Sequence, residues 1–375
     1  MNKQYLVSTG LALFALSNAH AADNCDRSCL EKFVSDYAAA LVKQDSSSVK
    51  AATNIKVSEN SVAVKLGEGP SWKGIKSFKS QPQYVSDTKS QEAGYMGVVD
   101  NNGEDAILAL RLKIQNNQIS EVESLLVHDG EGGPAFEPIG MIYRESPYIR
   151  DVPAKSRSSR DTLVKVANTF WDVSTTSHDA SKVPYAADCW HFENGMNTNW
   201  ERTFNPGEIT QMNNAKAYEP QADGRIWTCA RETYLTTTAW KAARQRHFVV
   251  DEERGLILTI TNVDYPSRAA GSMIPEQGMA AGMGAAPGGS PPAGGAQGGP
   301  PQQAAQGMGA GGAARSPIEG PSSGPIGMST KGMQQAMSGQ GYSMAHFMLM
   351  RVVDGKITRE QDVMRTLPEN ASRIF

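Results

Sequence analysis

Two parts of the chain carry apolar residues at helical spacing, and a strand-like segment follows each of them. The first, CLEKFVSDYAAALVKQD from Cys29, precedes NIKVSENSVAVKLGEGPSW; the second, RDTLVKVANTFWDVSTTSHD from Arg160, precedes DCWHFENGMNTNW. An apolar residue at roughly every third or fourth position predicts an amphipathic helix. In both places the strand reaches Glu-Asn and continues towards a tryptophan. The repeated order predicts two copies of one helix-then-sheet unit.

Alternating apolar and polar positions predict the strands of each unit. Residues 94–126 form three predicted strands, separated by turns at Asn101-Asn102-Gly103 and Asn116-Asn117. The middle strand presents an apolar face made of Leu108, Leu110, Leu112 and Ile114. The counterpart in the second copy is residues 244–266 and, much later, residues 346–364.

The two copies can also be matched residue by residue around their last turn. Arg111 in ALRLKI is matched with Arg351 in LMRVVDGKI, and Ile119-Ser120-Glu121 with Ile357-Thr358-Arg359. These matches predict the same strand order in both copies.

A segment of different composition interrupts the second copy. Residues 267–341 contain no Leu, Val, Phe, Trp, Tyr or Cys, while Gly, Ala, Pro, Gln and Ser dominate. Such a segment buries too little apolar surface to offset its ordering entropy, so we expect it to be disordered. The first copy crosses the equivalent point with the tight turn at Asn101-Asn102-Gly103, which makes the segment a loop insertion and not an interdomain linker.

Methionines punctuate this insertion: Met273, Met279, Met283, Met308, Met328, Met333 and Met337. A loose Cu(I) site built from thioethers is one interpretation, and a flexible loop that tolerates methionine is the other. No Cys or His accompanies the methionines within the insertion, which favours the flexible loop over a copper site. A protein that binds this loop is the partner we consider for it.

The N-terminus is typical of a secretory signal peptide. Lys3 is followed by an apolar run from Leu11 to Leu16 and by the small-residue cleavage motif Ala19-His20-Ala21. The run is shorter than the roughly 18 apolar residues that a membrane span needs, and no other stretch approaches that length. We therefore expect export to the periplasm or the medium, without a membrane span.

The predicted organisation follows from these features. We expect a signal peptide at residues 1–21, a first domain at 22–128, a linker at 129–159 and a second domain at 160–375, interrupted by the disordered loop 267–341. A mature chain of this length suggests about two domains.

The net charge and the cysteine content restrict the expected partners and the expected disulfides. The formal net charge is -3, and no basic run could follow a phosphate backbone, so nucleic acid is excluded as an expected partner. Four cysteines in an oxidising compartment predict two disulfides. Of the three pairings, we expect the local one, Cys25–Cys29 and Cys189–Cys229. A metal site at the first pair is the alternative, but no histidine lies near it.

The order of several short motifs resembles the nuclear-transport-factor-2-like or SnoaL-like fold, and more closely a secreted bacterial and fungal family of unknown function built on it. The motifs are Glu59-Asn60, Leu66-Gly67-Glu68-Gly69, Leu110-Arg111-Leu112-Lys113, Ile119-Ser120-Glu121-Val122-Glu123, Arg160, Leu163, Ala167-Asn168, Cys189, Glu193-Asn194-Gly195 and Val249-Val250-Asp251-Glu252-Glu253-Arg254-Gly255-Leu256. The resemblance implies an α+β protein with two tandem cone-shaped domains. In each, helices would close one side of a strongly curved antiparallel sheet around an apolar pocket.

The segment CWHFENG provides the main candidates for chemistry. If it is a strand, alternation places Cys189, His191 and Glu193 on one face, with Trp190 and Phe192 on the other. A carboxylate and an imidazole side by side in an apolar pocket can act as acid and base near neutral pH. The alternative is that Glu-Asn only caps the strand end, as Glu59-Asn60 does in the first copy.

Further polar residues of the second copy are weaker candidates. We expect Asp264 to be catalytic, because it continues the apolar face of Leu256, Leu258 and Ile260 towards a pocket mouth; the alternative is a polar residue in a strand-end turn before Pro266. We expect a ligand to contact Trp190, His247, Asn262 and His346. A zinc site at His191, His247 and His346 is an alternative, although no close ligand spacing favours it.

These observations predict an exported protein that binds a small apolar or aromatic molecule. The resemblance implies a metal-independent lyase, isomerase or dehydratase without a cofactor, using His191, Glu193 and Asp264 in the second domain. A non-catalytic binding or protein-interaction module is the alternative. An open pocket around His191 or Glu193 would favour catalysis, and a pocket filled by aromatic side chains would favour the alternative.

Overall fold

The computed structural model describes residues 24–132, 136–138, 141, 147–198, 229–230, 240–265 and 341–367. The predicted signal peptide and the predicted disordered loop, apart from Gly341, lie outside these residues.

Three helices are described in these ranges: α1 (Arg27–Lys43), α2 (Pro70–Gly74) and α3 (Arg160–Asp172). The side chain of Asp26 caps α1 by accepting a hydrogen bond from the backbone N–H of Cys29. Ser159 caps α3 in the same way, through the N–H of Thr162. Such caps satisfy N–H groups that the first helical turn leaves without a partner. None of the described helices is long and apolar enough to cross a bilayer.

The strands form two sheets. The first contains β1 (Ala51–Glu59), β2 (Val62–Ala63), β3 (Ile75–Phe78), β4 (Gln83–Asp87), β5 (Glu92–Asn101), β6 (Glu104–Gln115) and β7 (Gln118–Val127). The second contains β8 (Tyr185–Glu193), β9 (Met196–Asn197), β10 (Ala242–Asp251), β11 (Leu256–Tyr265), β12 (Tyr342–Val353) and β13 (Lys356–Leu367). The protein is thus an α+β structure with two curved sheets.

Both sheets have the same connections. The first runs β2-β1-β7-β6-β5-β3, with β4 also paired to β5, and the second runs β9-β8-β13-β12-β11-β10. In each sheet, the strand after the long helix pairs in parallel with the last strand, and the other pairs are antiparallel. The register makes Val57 equivalent to His191, because Val57 pairs with Val122 as His191 pairs with Glu360.

One sequence-based match between the copies is wrong by two residues. Lys113 pairs with Glu121, and Arg351 pairs with Arg359, just before a register shift in each hairpin. Arg351 is therefore equivalent to Lys113, and not to Arg111. Lys113 and Arg351 each lie three residues before the first residue of the turn, Asn116 and Asp354, and both hairpins have the same register shift. The wrong match came from pairing two arginines by residue type and not by distance from the turn.

The glycine-rich segment joins two neighbouring antiparallel strands. Tyr265, the last residue of β11, pairs with Tyr342, the first residue of β12, and their rings stack with centroids 4.6 Å apart. The equivalent strands of the first sheet are joined at the turn that contains Asn102 and Gly103.

Apolar side chains form three clusters, which define four layers. Between α1 and the first sheet lie Leu30, Val34, Tyr37, Leu108, Leu110 and Leu112. Between the two sheets lie Met96, Ile107, Ala109, Leu258, Ile260, Phe347 and Leu349. Between the second sheet and α3 lie Leu163, Phe170, Trp171, Ile257, Met348 and Met350. Each sheet therefore packs against a helix on one face and against the other sheet on its second face.

The sheets approach closely at Gly94. A Cβ atom at this position would lie 2.7 Å from Cδ2 of Leu258 in the opposite sheet, so a larger residue would force the Leu258 side chain to shift. Dispersion and burial at this tight contact hold the two halves together.

Two reciprocal ion pairs also join the halves. Arg27 at the start of α1 binds the buried carboxylate of Asp251 at the end of β10, with N–O distances of 2.6 and 2.7 Å. Arg160 at the start of α3 binds the buried carboxylate of Asp87 at the end of β4, with both distances 2.8 Å. Each helix therefore contacts the edge strand of the other half.

Candidate functional site

The helix-facing side of β8 is where His191 and Glu193 lie. Cys189, on the same face, belongs to the apolar cluster between the second sheet and α3. On the opposite face, the rings of Trp190 and Phe192 stack with centroids 6.4 Å apart. The alternation expected for CWHFENG is therefore present in the structure.

His191 lies between two carboxylates. Its Nδ1 is 3.6 Å from Glu360 Oε2, and its Nε2 is 3.8 Å from Glu193 Oε1. Burial lowers the pKa of His191 to about 4, against the opposing effect of the Asp362 charge. The imidazole is therefore neutral at pH 7, and the nearby carboxylates do not form an ion pair with it there.

His346 and Asp362 form a buried pair on the same side of the sheet. Nδ1 of His346 is 2.7 Å from Oδ2 of Asp362, and the His346 side chain is 0% exposed. Since a carboxylate accepts, Nδ1 donates this hydrogen bond, and in the neutral form of the ring the lone pair is then on Nε2. This Nε2 is buried and has no hydrogen-bond partner among the residues that the structure describes. Its lone pair can therefore accept a proton from a bound molecule.

Aromatic rings surround His346. The Trp240 ring lies edge-on to the imidazole at 5.2 Å and the Trp171 ring at 5.7 Å, and the two indoles stack on each other at 5.6 Å. Tyr265 contacts Trp240 from the far side at 6.4 Å. Nε1 of Trp171 donates a hydrogen bond to Thr259 Oγ1, which fixes the orientation of its indole. The surroundings of the free nitrogen are thus aromatic and rigid.

Sequence reasoning missed Asp362 as a partner of His346. His346 lies on β12, two strands away from His191 on β8. It pairs directly with Met364 of β13, so Asp362, two residues before Met364, is the diagonal neighbour of His346. Diagonal neighbours on one face are within reach of each other. The sequence signal was present, but it requires the register of β12 against β13, which the 354–355 turn and its bulge determine.

Four predicted site residues lie on the face of the second sheet that points away from α3: Asn262, Asp264, His247 and Trp190. Leu258 and Ile260 pack between the two sheets, so Asn262 and Asp264, which continue their side of β11, point away from α3. The Asp264 carboxylate pairs with Arg244 at 2.7 Å and accepts a hydrogen bond from Ser343. This differs from the expected position of Asp264 at a pocket mouth.

His247 and Trp190 also lie away from His346. Nε2 of His247 is 3.0 Å from Glu92 Oε1, which belongs to the first sheet. Trp190 is on the face of β8 opposite to His191, and the Arg359 guanidinium lies 5.8 Å from its ring centroid. The apolar stripe of β11 suggested a pocket face, but alternation cannot distinguish a pocket from a contact with another sheet.

The three histidines of the zinc alternative do not converge, since His247 binds Glu92 and His346 binds Asp362. Among the described residues, a group of three potential ligands with mutually close atoms is formed instead by Cys189, Cys229 and Glu360. The structure has the expected disulfides, Cys25–Cys29 and Cys189–Cys229, with Cα atoms 5.2 and 5.9 Å apart.

The asparagine of Glu-Asn is structural in both halves. Asn60 accepts a hydrogen bond from the backbone N–H of Leu126. Asn194 bonds the backbone of Met364 and the carbonyl of Gly132. The two glutamates have different partners. Glu59 accepts hydrogen bonds from the backbone N–H and the hydroxyl of Ser71, whereas Glu193 lies 3.8 Å from His191. The capping interpretation therefore describes both asparagines and Glu59.

The polar cluster is specific to the second half. By strand register, His191, Glu360, His346 and Asp362 are equivalent to Val57, Val122, Leu108 and Ser124. The three apolar equivalents are all part of the first half's core. Burying ionisable groups where the same fold accepts Val and Leu costs stability, so their presence points to a role in binding or chemistry.

The comparisons with known proteins name no activity for this chain. A family model described as "Domain of unknown function (DUF8021)" matches residues 156–364, which is more than half of the chain. No curated protein matches it.

Two solved structures share part of the chain's shape at low similarity. A de novo designed protein with a curved β-sheet has 12% identity and a TM-score of 0.23, over 28% of this chain and 88% of that one. A putative ketosteroid isomerase from Kribbella flavida DSM 17836 has 12% identity and a TM-score of 0.22, over 34% of this chain and 93% of that one. At these TM-scores, neither likeness bears on function.

Proposed function

Because the chain belongs to the DUF8021 family, whose description names no activity, we propose a function from the site itself. The protein binds a small, flat, apolar or aromatic molecule between the second sheet and α3, and transfers a proton on it in a lyase- or isomerase-type reaction. The observation that supports this proposal most directly is the buried His346: its Nδ1 is held by Asp362, while its Nε2 has no hydrogen-bond partner in the described parts of the chain.

His346 is the proton acceptor in this proposal. In an isomerisation, its Nε2 removes a proton from a carbon next to a double bond of the bound molecule. The C–H electron pair forms a new double bond, and the electrons of the old double bond move to its far atom. Asp362 stabilises the imidazolium that forms, because its carboxylate lies 2.7 Å from Nδ1. His346 then returns the proton to another atom of the product. Trp171 and Trp240 support the reaction by orienting the ligand ring and excluding water.

We also propose that the two halves are tandem nuclear-transport-factor-2-like units with different roles. The shared strand order supports this division. The first unit has an apolar core at the positions equivalent to the polar cluster and acts as a scaffold. The two disulfides support export into an oxidising compartment.

A generic proton-transfer probe tests the catalytic proposal without knowledge of the natural substrate. In 5-nitrobenzisoxazole, a base removes the ring C–H proton, the C–H electrons form a nitrile, and the N–O bond breaks to release a coloured phenolate. We expect the protein to accelerate this reaction. His346→Ala should lower the rate by about 100-fold, the lower range for a positioned general base. Asp362→Asn should lower it by about tenfold or more, since it loses the charge that stabilises the imidazolium.

His247→Gln is the matched control, because it removes a histidine of the same sheet from the opposite face. It should leave the rate unchanged. Circular dichroism and thermal melts of all three variants separate a lost base from a lost fold. Equal rates for His346→Ala and the parent, with both folded, would exclude His346 as the base.

Non-catalytic binding is the second candidate, and the close packing of Trp171 and Trp240 on His346 favours it. The same probe decides between them. Quenching of tryptophan fluorescence by the probe, without phenolate release, would indicate a binding site that lacks catalysis.

A further inference from the structure

The Cys189–Cys229 disulfide lies beside a buried acid. The two Sγ atoms and a carboxylate oxygen of Glu360 all lie within 4.8 Å of one another, and all three residues are buried. Nδ1 of His191 is 3.6 Å from Oε2 of Glu360. Two sulfurs and one carboxylate therefore converge where β8 meets β13, and the His191 imidazole lies next to that carboxylate.

These side chains replace apolar ones. Strand register makes Cys189, His191 and Glu360 equivalent to Ile55, Val57 and Val122, which pack in or against the core of the first half. The first half therefore shows that the fold itself needs no sulfur, acid or imidazole at these positions. A ligand set restricted to one half indicates a role that the other half does not share.

We propose that reduction of the Cys189–Cys229 disulfide creates a binding site for a divalent metal ion of borderline softness, with Zn²⁺ as the best match. Its ligands are the two thiolates, the Glu360 carboxylate and the His191 imidazole. Thiolate, imidazole and carboxylate are the donors that Zn²⁺ takes in four-coordinate protein sites. In the oxidised protein the sulfurs are bonded to each other, so metal binding is coupled to reduction.

The chemical balance of the switch is simple. A dithiol reductant supplies two electrons and two protons: the S–S bond breaks, the cysteines become thiols, and the reductant closes to its own disulfide. The metal ion then displaces the two thiol protons, which pass to solvent. His191 binds through a ring nitrogen, next to the Glu360 carboxylate. Reoxidation by a disulfide reverses both steps and expels the metal.

The site is distinct from the proposed catalytic base. His346 and Asp362 are not among its ligands, so proton transfer and metal binding can fail independently. The Cys25–Cys29 disulfide provides an internal comparison, because no histidine or acid joins it in a comparable group among the described residues.

Cobalt binding to the reduced protein tests the proposal. A Cys25→Ser/Cys29→Ser variant isolates the Cys189–Cys229 pair; it is reduced with excess dithiothreitol, desalted under nitrogen and titrated with Co²⁺. We expect one ion per chain, with the visible bands of tetrahedral cobalt and a thiolate-to-cobalt charge-transfer band. Zn²⁺ should displace the cobalt and bleach these bands. The oxidised protein should show neither.

Three variants identify the ligands. Glu360→Gln and His191→Phe should each weaken Co²⁺ binding by about tenfold or more while keeping the charge-transfer band, since both thiolates remain. Cys189→Ser/Cys229→Ser, with Cys25 and Cys29 intact and reduced, should lose both signals. Circular dichroism before and after metal addition reports whether the reduced chain is folded.

The proposal is overturned if the reduced Cys25→Ser/Cys29→Ser variant binds no cobalt, whether it is folded or not. It is also overturned if Cys189→Ser/Cys229→Ser binds as well as the parent, or if the Glu360 and His191 variants bind with unchanged affinity. Loss of cobalt binding without loss of phenolate release would leave the proposed function intact.

Discussion

At the scale of single residues, His191 couples folding to pH. Its pKa falls from 6.5 to about 4 on folding, chiefly through burial. The folded state therefore binds fewer protons than the unfolded chain between these values. The associated stability is fully present above pH 6.5 and is lost as the pH falls towards 4, by up to about 3 kcal/mol.

His191→Val, which installs the residue found at the equivalent position 57, tests this coupling. Urea unfolding at pH 7 and pH 4.5 should show a smaller acid-induced loss of stability in the variant than in the parent, by about 2 to 3 kcal/mol. Val57→Ala serves as the comparison, since it acts only through lost packing and should leave the pH dependence unchanged. Identical pH dependence for His191→Val and the parent would mean that the buried imidazole titrates normally.

The residue scale also shows how far sequence reasoning could reach. Alternation correctly placed His191 and Glu193 together, because the period of a strand is independent of its surroundings. It could not tell that the face of Asn262 and Asp264 contacts another sheet. That distinction depends on long-range packing, which a single strand pattern does not contain.

At the scale of elements, the reciprocal ion pairs make a specific prediction. Asp251 accepts two hydrogen bonds from Arg27 and one from the backbone N–H of Arg254, and its carboxylate is fully buried. Asp251→Ala should lower the free energy of unfolding by about 3 to 5 kcal/mol, because the backbone N–H groups of Ser86 and Arg254 lose their acceptor and Arg27 keeps only carboxylates that are more exposed. Chemical denaturation measures the loss.

The exposed pair of Lys32 and Asp36 is the matched control within α1. Its N–O distance of 2.7 Å is as short as that of the buried pair, but both side chains are mostly exposed. Asp36→Ala should cost only about 0.5 kcal/mol. If Asp251→Ala cost no more than Asp36→Ala, the interface between the halves would not depend on this pair.

Elements were more predictable than their exact register. Apolar periodicity located α1, α3 and the hairpins around 116 and 354, because each presents an apolar face to a core. The mismatch of Arg351 with Arg111 arose from matching residue types, because both positions hold an arginine among apolar residues, whereas the distance from the turn selects Lys113.

At the scale of the whole molecule, the apolar second face of each sheet is explained by the other sheet. Ile107 and Ala109 alternate with the Leu108 stripe and are equally buried, since they meet Leu258 and Leu349 of the second half. Such strands read as nearly continuous apolar runs. The sequence predicted two units from its repeat, but how the units pack is not encoded in either unit alone.

The last prediction concerns the segment between β11 and β12. Tyr265 and Tyr342 are direct partners in the antiparallel ladder, so the chain can close this hairpin with a two-residue turn. Replacing residues 266–341 by Asn-Gly, which leaves two residues between Tyr265 and Tyr342, should leave the melting temperature unchanged or raise it. A shorter connection loses less entropy on folding, by about 1 to 3 kcal/mol.

A second variant with a flexible connection of about ten Gly and Ser residues separates strain from lost packing. A lower melting temperature for the Asn-Gly variant alone would indicate strain in the tight turn. Lower values for both variants, compared with the full chain, would show that the segment packs against the folded halves, and would contradict the disorder that its composition predicts.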